Sequence, residues 1–341
     1  MNQLSLGDRE SRNFLLKSLS ENLCVKLEER RISPRMGLSM LPFSKEMRLM
    51  SKASTTRKVD YFRLPRPLWR KLKKCLPKKS KKKSSRQGGR PRASDRAVID
   101  AIWYVLWSGC QWKAVHRDWF GVSSSVIHER FQSWTKMGIF EKLMKRMLQY
   151  YAKERGGIGW RWQAMDSKNS AAPLGGEKTG KSPTDRGKLG AKINLMVDER
   201  GAPISVVLTG ANRHDKVSAI DLIVSMLTKR PAHKEQHLCA DKAYDATDVR
   251  EFVASEGYTA HIKVNPRRSK GAQRSGDECP ANNDSSQKKV YPARRWIVER
   301  TISWLAKRRS LRTRWAKKAG NWLALVQLAC AHILFNLAVF G

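Results

Sequence analysis

Acidic residues are scarce in this chain, whose 341 residues include 30 Asp and Glu against 68 Lys and Arg. The resulting formal net charge of +38 points to a polyanionic partner. Nucleic acid is the favoured partner, and an anionic membrane surface is the other possibility. Any carboxylates that serve a function must therefore do so within a strongly positive field.

Paired cysteines and a secretory signal are also missing. The six cysteines are scattered and form no Cys-x-x-Cys pair, which argues against a zinc site and a disulfide framework. The opening MNQLSLGDRESRN has no basic segment followed by an apolar core, so it does not read as a secretory signal. We expect reduced thiols and a cytoplasmic, nucleoid-associated protein.

Long apolar runs are rare, and the C-terminal WLALVQLACAHILFNLAVF is the most apolar. It is long enough to span a bilayer, but Gln327, His332 and Asn336 interrupt it. A packed core helix is favoured over a membrane span. We therefore expect no membrane partner.

Composition divides the chain into three regions. Residues 1–60 show weak periodicity and predict a poorly ordered leader. Residues 61–150 predict a basic arm and a helical DNA-binding domain, and residues 151–341 an α/β catalytic domain. The arm contains the cations expected to contact phosphate: Lys78, Lys79, Lys81, Lys82, Lys83, Arg86, Arg90 and Arg92. Such a run repels itself and has nothing apolar to bury.

The helical region is typical of a helix-turn-helix module. Ser94 is a candidate N-cap of a first helix, which Gly109 ends. A second helix starts at Ser123 or Ser124, and Ile127, Phe131 and Trp134 form its apolar stripe. A plain helical bundle that packs on the next domain remains an alternative.

From about residue 159 the periodicity changes to that of strands. The pattern predicts three strands, helix, strand, helix, strand, helix, which is an α/β order with a mixed sheet. WRWQAMDSK reads as a strand that ends at Asp166, and QHLCAD as a strand that ends at Asp241. RRWIVERTISWL reads as a helix that carries Glu299.

These three carboxylates can converge at one edge of such a sheet, because open α/β folds place ligands at strand ends. Three oxygen donors suit Mg²⁺ or Mn²⁺ and indicate metal-dependent phosphoryl transfer. Each residue also has a simpler explanation. Asp after a strand is common in turns and caps, and Arg295 with Glu299 can be an ordinary ion pair one turn apart. Capping alone likewise explains Asp215 beside His214.

Five segments together resemble the DDE transposases of bacterial insertion sequences, in the IS-five and IS-four-like group. They are GRPRASDRAVIDAIWYVLWSGCQWK, AMDSK, GANRHD, ADKAYD and RRWIVERTISWL, and the resemblance spans about residues 60–341. It implies an RNase H-like core in which Asp166, Asp241 and Glu299 bind two Mg²⁺ (or Mn²⁺) ions. Such enzymes cut DNA at the element's ends and join the free 3′-hydroxyl to target DNA.

The resemblance also implies partners and further site residues. Double-stranded DNA, as element ends and target, is the expected partner of a homo-oligomer assembled on that DNA. Arg295 matches the arginine four residues before the glutamate, Lys307 and Arg308 are expected DNA contacts, and Lys168 and His214 are candidate active-site neighbours.

Some parts of the chain depart from the family pattern. The family pattern has a basic residue seven places after the glutamate. In this chain that position is Ala306, one place before Lys307. The 169–187 loop and the region before about residue 50 have no counterpart, and Met47 and Met50 are candidate starts.

Two other functions fit the same residues. An RNase H-like nuclease or resolvase would cut without joining, and a DNA-binding regulator would do neither. A tyrosine recombinase is disfavoured, because no tyrosine follows Tyr291.

Overall fold

The computed structural model describes residues 63–77, 92–264 and 294–341. The predicted leader and the arm residues Lys78 to Arg90 lie outside these ranges, as does the loop after Asn265. The described residues all belong to one unit of the chain, Asp60–Gly341.

Nine α-helices are present in the described ranges. They are α1 Arg66–Lys73, α2 Asp95–Ser108, α3 Arg117–Phe120, α4 Ser124–Lys136, α5 Ile139–Glu154, α6 Lys216–Val224, α7 Thr247–Ser255, α8 Trp296–Ala306 and α9 Ala319–Phe340. Six strands are described: β1 Trp162–Ala171, β2 Gly180–Lys181, β3 Leu189–Asp198, β4 Pro203–Gly210, β5 His237–Ala240 and β6 Thr259–Ile262.

The two helices predicted before residue 155 are present as α2 and α4, whereas α3 and α5 are helices that the sequence analysis did not predict. The α4 stripe of Ile127, Phe131 and Trp134 is buried, which confirms its assignment. Gly109 ends α2 in the left-handed conformation (φ 69°), which glycine adopts without steric cost. Ser94 occupies the N-cap position of α2, but its side chain makes no capping hydrogen bond.

One mixed sheet forms the core of the second half. Strand β3 runs antiparallel to its neighbours β4 and β1, and β5 and β6 continue the sheet parallel to β1. The short β2 pairs with the start of β3. Apart from the two-residue β2, the strands thus lie in the order β4-β3-β1-β5-β6, which is the RNase H-like arrangement. The predicted α/β class is confirmed.

Two sequence-based boundaries are wrong. Strand β1 does not end at Asp166 but continues to Ala171, because β3 pairs with it as far as the Ala171–Gly190 pair. The segment KVSAIDLIVSMLTKR, which ends at Arg230, predicts one amphipathic helix, but helix α6 ends at Val224. The segment KLGAKINLMVDERGAPISVVLTGANRHD predicts a hairpin with its turn at residues 198–201. This hairpin is present between β3 and β4, and Gly201 in its turn has φ 87°.

Helix α9 is the one helix in the described ranges that is long and apolar enough to cross a membrane. In the molecule, 61% of its most apolar stretch is buried. It packs against α5 and β4, so it serves as the core helix that joins the helical region to the sheet.

Candidate active site

The register between β1 and β5 places the two aspartates side by side. The parallel pairs are Trp162–His237, Gln163–Leu238 and Ala164–Cys239. When this register is continued by two residues, Asp166 lies opposite Asp241. At that position β5 has already ended, whereas β1 continues. Residues at matching positions of neighbouring parallel strands share a face of the sheet. The two carboxylates therefore lie together at the carboxyl end of β5.

Glu299 lies on helix α8, which packs against the same sheet. This helix buries Ile297, Val298 and Thr301 and packs against β1 and β3. The Thr301 hydroxyl donates to the Gly201 carbonyl oxygen at 2.8 Å and ties α8 to the β3–β4 turn. Glu299 itself stays 52% exposed, so its carboxylate is oriented by the helix without being desolvated.

Arg295 forms hydrogen bonds with both Asp241 and Glu299. Its Nη1 donates to Asp241 Oδ1 at 2.9 Å and its Nη2 to Glu299 Oε1 at 2.8 Å. The pair with Glu299 is the predicted one-turn ion pair, but the second contact crosses from α8 to the end of β5. The planar fork of a guanidinium suits this geometry. Residues far apart in the chain, Asp241 and Glu299, are thereby held together.

Asp166 is the most buried of the three carboxylates. Burial raises the pKa of its carboxyl above the ordinary value, and the nearby Asp241 and Asp215 raise it further. The Ser167 backbone N–H, which donates to Asp166 Oδ1 at 2.7 Å, and Arg295 oppose the rise. The negative charge of ionised Asp166 is therefore not fully compensated by its neighbours. A cation at this position would compensate it.

The donor chemistry of the site fits a divalent metal. Three carboxylates offer the oxygen ligands that Mg²⁺ and Mn²⁺ prefer. Within the described ranges, however, no three His, Cys, Asp or Glu side chains are grouped closely enough to hold a metal ion. The predicted metal-binding cluster of Asp166, Asp241 and Glu299 is not formed in this structure, in which the Arg295 guanidinium pairs with Asp241 and Glu299.

A polar network that sequence reasoning missed holds β1 from its other face. Asp215 accepts from Lys192 Nζ and from Ser167 Oγ, both at 2.8 Å. It occupies the predicted N-cap position of α6 but makes no capping hydrogen bond. A lysine within the apolar strand β3 was the available signal, because a buried Lys192 requires an acidic partner.

The remaining predicted site residues differ in how exposed their side chains are. Lys168 is half-buried two residues after Asp166, on the same face of β1, and burial lowers its pKa. His214 is exposed, and its Nδ1 accepts from the Lys216 backbone N–H at 3.4 Å. Lys307 is exposed, and Arg92 is partly exposed beside Asp95.

The prediction that Arg308 contacts DNA is wrong. It is 3% exposed and donates to the Trp304 carbonyl oxygen and to His332 Nδ1. Its guanidinium also lies over the Trp107 ring, 4.9 Å from the centroid. Burial lowers its pKa to about 10. A side chain enclosed in this way cannot reach a phosphate without leaving the core.

The mixed sheet, with Asp166 and Asp241 at matching positions of neighbouring strands and Glu299 on a later helix, has the arrangement expected of the class of DDE enzymes. Residues 161–334 match the family model described as "Transposase DDE domain". Residues 64–144 match a second model, "Putative transposase of IS4/5 family". The chain belongs to the DDE transposase family, and it is an enzyme that acts on DNA.

Two relatives from insertion elements are similar over part of the chain. The "Putative transposase for insertion sequence element IS402" of Burkholderia cepacia is 30% identical over 177 residues, which cover 50% of this chain and 74% of the relative. The corresponding protein of element IS6501 from Brucella ovis is 30% identical over 143 residues, which cover 42% of this chain and 95% of the relative.

Solved structures of Mos1 transposase are more distant. The Mos1 strand transfer complex aligns with a TM-score of 0.23 at 12% identity, over 75% of this chain and 80% of that chain. The Mos1 catalytic domain with raltegravir and Mn aligns with a TM-score of 0.22 at 13% identity, over 56% and 92%.

Proposed function

We propose that this transposase cuts DNA at the ends of an insertion element and joins the 3′-hydroxyl ends to target DNA at Asp166, Asp241 and Glu299. The observation that carries the proposal is the Arg295 fork between Asp241 and Glu299, with Asp166 in register beside Asp241. Carboxylates are scarce in a chain of charge +38, which supports a functional role for three that lie on neighbouring elements.

Asp166, Asp241 and Glu299 would hold two Mg²⁺ or Mn²⁺ ions. When bound, such ions activate the attacking water or 3′-hydroxyl and stabilise the leaving oxygen. Arg295 orients the carboxylates of Asp241 and Glu299 before the ions arrive. With those oxygens holding metal, the Arg295 guanidinium would be available to contact a phosphate, for which its bidentate geometry is suited.

The rest of the chain supplies DNA binding in this proposal. The arm from Lys78 to Arg92 and the exposed Lys307 neutralise backbone phosphates. The helical domain, residues 61–150, presents α4 as the helix that reads the element ends. Both ends must be handled together, so a homo-oligomer assembles on the DNA. The protein works in the cytoplasm, on the nucleoid.

Replacing Glu299 by Gln tests the catalytic assignment. The variant keeps side-chain size but loses the charge that holds a divalent ion. Metal assistance is worth several kcal/mol in the transition state, so we expect cleavage and joining to fall by about 100-fold or more while binding persists. The measurement uses the DNA that borders the gene, with gel-shift binding, cleavage and strand transfer of pre-cut ends assayed in parallel.

Glu251→Gln is the matched control, since Glu251 is an exposed carboxylate on α7. It should behave as the wild-type protein does. Near-normal strand transfer by Glu299→Gln would refute the assignment. Cleavage without joining by the wild-type protein would indicate the nuclease alternative, and binding with neither reaction would indicate the regulator.

A further inference from the structure

A cavity of about 490 Å³ lies between the helical region and the segment that leads into α9. Trp112 and α4 form one wall, and the stretch from Trp315 to Trp322 forms the other. None of the three proposed catalytic carboxylates lines it. This cavity is therefore separate from the metal site.

Five aromatic rings line the cavity, those of Trp112, His128, Phe131, Trp315 and Trp322. Trp112 is stacked on His128, with ring centroids 5.1 Å apart at 29°, and Trp322 is fully buried behind them. At the mouth, Trp315 is 48% exposed and Leu174 is 54% exposed. Large apolar side chains left uncovered around a cavity indicate a ligand-binding site. Flat rings are suited to a flat, aromatic ligand.

The polar groups of the cavity are amides and cations. Gln132 and Asn321 offer the donor and acceptor pairs that match the edges of nucleobases. Lys113, Lys317 and Lys318 are exposed at its rim, and none of the residues that line the cavity is acidic. This charge pattern excludes a cationic ligand and favours one that carries phosphate.

The wall that carries Trp315 is held rigidly. The buried Arg314 donates from Nε to the Ala316 carbonyl oxygen at 2.8 Å and from Nη2 to that of Lys317 at 2.9 Å. The Glu177 backbone N–H also donates to the Lys317 carbonyl oxygen at 2.9 Å. A wall fixed before binding loses little conformational entropy when a ligand enters.

Strand β1 connects the cavity to the metal site. The Arg314 backbone N–H donates to the Ala171 carbonyl oxygen at 2.7 Å, so the end of β1 adjoins the cavity wall. Five residues of strand separate Ala171 from Asp166, a distance of roughly 17 Å. That corresponds to about five nucleotide steps along one strand of duplex DNA.

We propose that this cavity binds one unpaired nucleotide of the DNA that the enzyme acts on. The base stacks against the exposed Trp315, the amides of Gln132 and Asn321 contact its edge, and the rim lysines bind its phosphate. A duplex is far too wide to enter, so the nucleotide must leave the base stack. The inference rests on the proposed action on DNA.

Two duplexes of the same sequence test the proposal with the full-length protein. One carries a single unpaired 2-aminopurine in a bulge, and the other is fully paired. Stacking on aromatic side chains predicts a preference for the bulged duplex of roughly 5- to 100-fold, with quenching of the 2-aminopurine fluorescence. Trp315→Ala should remove most of the preference and the quenching, and should leave affinity for the paired duplex unchanged.

Trp119→Ala is the matched control, because Trp119 is 52% exposed and does not line the cavity. It should keep the preference. Lys317→Ala, which leaves the aromatic walls intact, should reduce the preference in part. Equal affinity of the wild-type protein for both duplexes would overturn the cavity assignment alone. Failure to bind either duplex would instead overturn the proposed action on DNA.

Discussion

At the scale of single residues, two charged side chains each link two other residues. Arg295 links Asp241 to Glu299, and Asp215 links Lys192 to Ser167. Asp166 and Ser167 are consecutive in β1 and so face opposite sides of the sheet. Arg295 therefore orders the face of the sheet that carries the proposed catalytic carboxylates, and Asp215 holds the same strand from the other face.

The buried pair of Asp215 and Lys192 gives a prediction on stability. In Asp215→Ala, Lys192 loses its carboxylate while its side chain is only 10% exposed. Removing one partner of a buried ion pair leaves an uncompensated charge. We expect the free energy of unfolding to fall by about 2–4 kcal/mol, somewhat below the fully buried range because the pair keeps some solvent contact. Chemical denaturation measures it.

Asp221→Ala controls for the loss of an aspartate from the same helix, since Asp221 is exposed. It should change stability by no more than about 0.5 kcal/mol. The double variant Lys192→Met/Asp215→Ala should recover part of the loss, because it removes the unpaired charge. Equal effects of the two single alanine variants would show that the pair contributes nothing.

At the scale of elements, α9 connects the two halves of the described chain. It packs on α5 of the helical region and on β4 of the sheet. Within this packing, His332 of α9 accepts from Arg308 at 2.8 Å and lies edge-on to Trp103, with centroids 4.9 Å apart. The imidazole is thus enclosed by a cation and apolar rings, an environment that favours its neutral form.

This enclosure predicts a pH dependence of stability. Burial, with the Arg308 charge as a smaller cause, lowers the pKa of His332 from 6.5 to about 3. Between these values the unfolded chain binds a proton that the folded chain does not. The free energy of unfolding therefore falls as the pH drops through that range, by up to about 1.4 kcal/mol per pH unit. His332→Gln should show a shallower dependence in denaturation at pH 4 to 7.

His116→Gln is the matched control, because the His116 side chain is 66% exposed. It should follow the wild-type curve. The same curve for His332→Gln would mean that His332 does not remain neutral in the folded protein.

At the scale of the whole molecule, the excess of positive charge dominates. A net charge of +38 attracts a polyanion from a distance and makes its binding sensitive to salt. Cations that neutralise phosphates release counterions, so the logarithm of the binding constant falls by about 0.9 per phosphate for each unit of log salt.

The lysine run of the arm should carry part of that dependence. We expect the triple variant Lys81→Ala/Lys82→Ala/Lys83→Ala to lower the salt slope by as much as about 0.9 for each lysine that neutralises a phosphate. Fluorescence anisotropy between 50 and 200 mM salt, about the range over which such contacts are distinguished, measures the slope. Three exposed lysines of α5, Lys142, Lys145 and Lys153, provide the matched control. Equal slopes for the two triple variants would remove the arm from the DNA interface.

Local patterns in the sequence determined most of the elements and the positions of the carboxylates. Apolar residues at helical spacing located α4 and α8, and alternation located β3 and β4 with the turn between them. An aspartate after a short apolar strand marked Asp241. These predictions succeed because the period of the backbone and the identity of neighbouring side chains are local properties.

The tertiary structure decided everything that depends on partners distant in the chain. Pairing with β3 carries β1 past Asp166, and burial against Trp107 and His332 converts Arg308 from an expected DNA contact into a core residue. The Asp215–Lys192 pair and the tryptophan-lined cavity likewise join segments far apart in sequence. No local pattern encodes strand register or which cation becomes enclosed, since both follow from how complete elements pack.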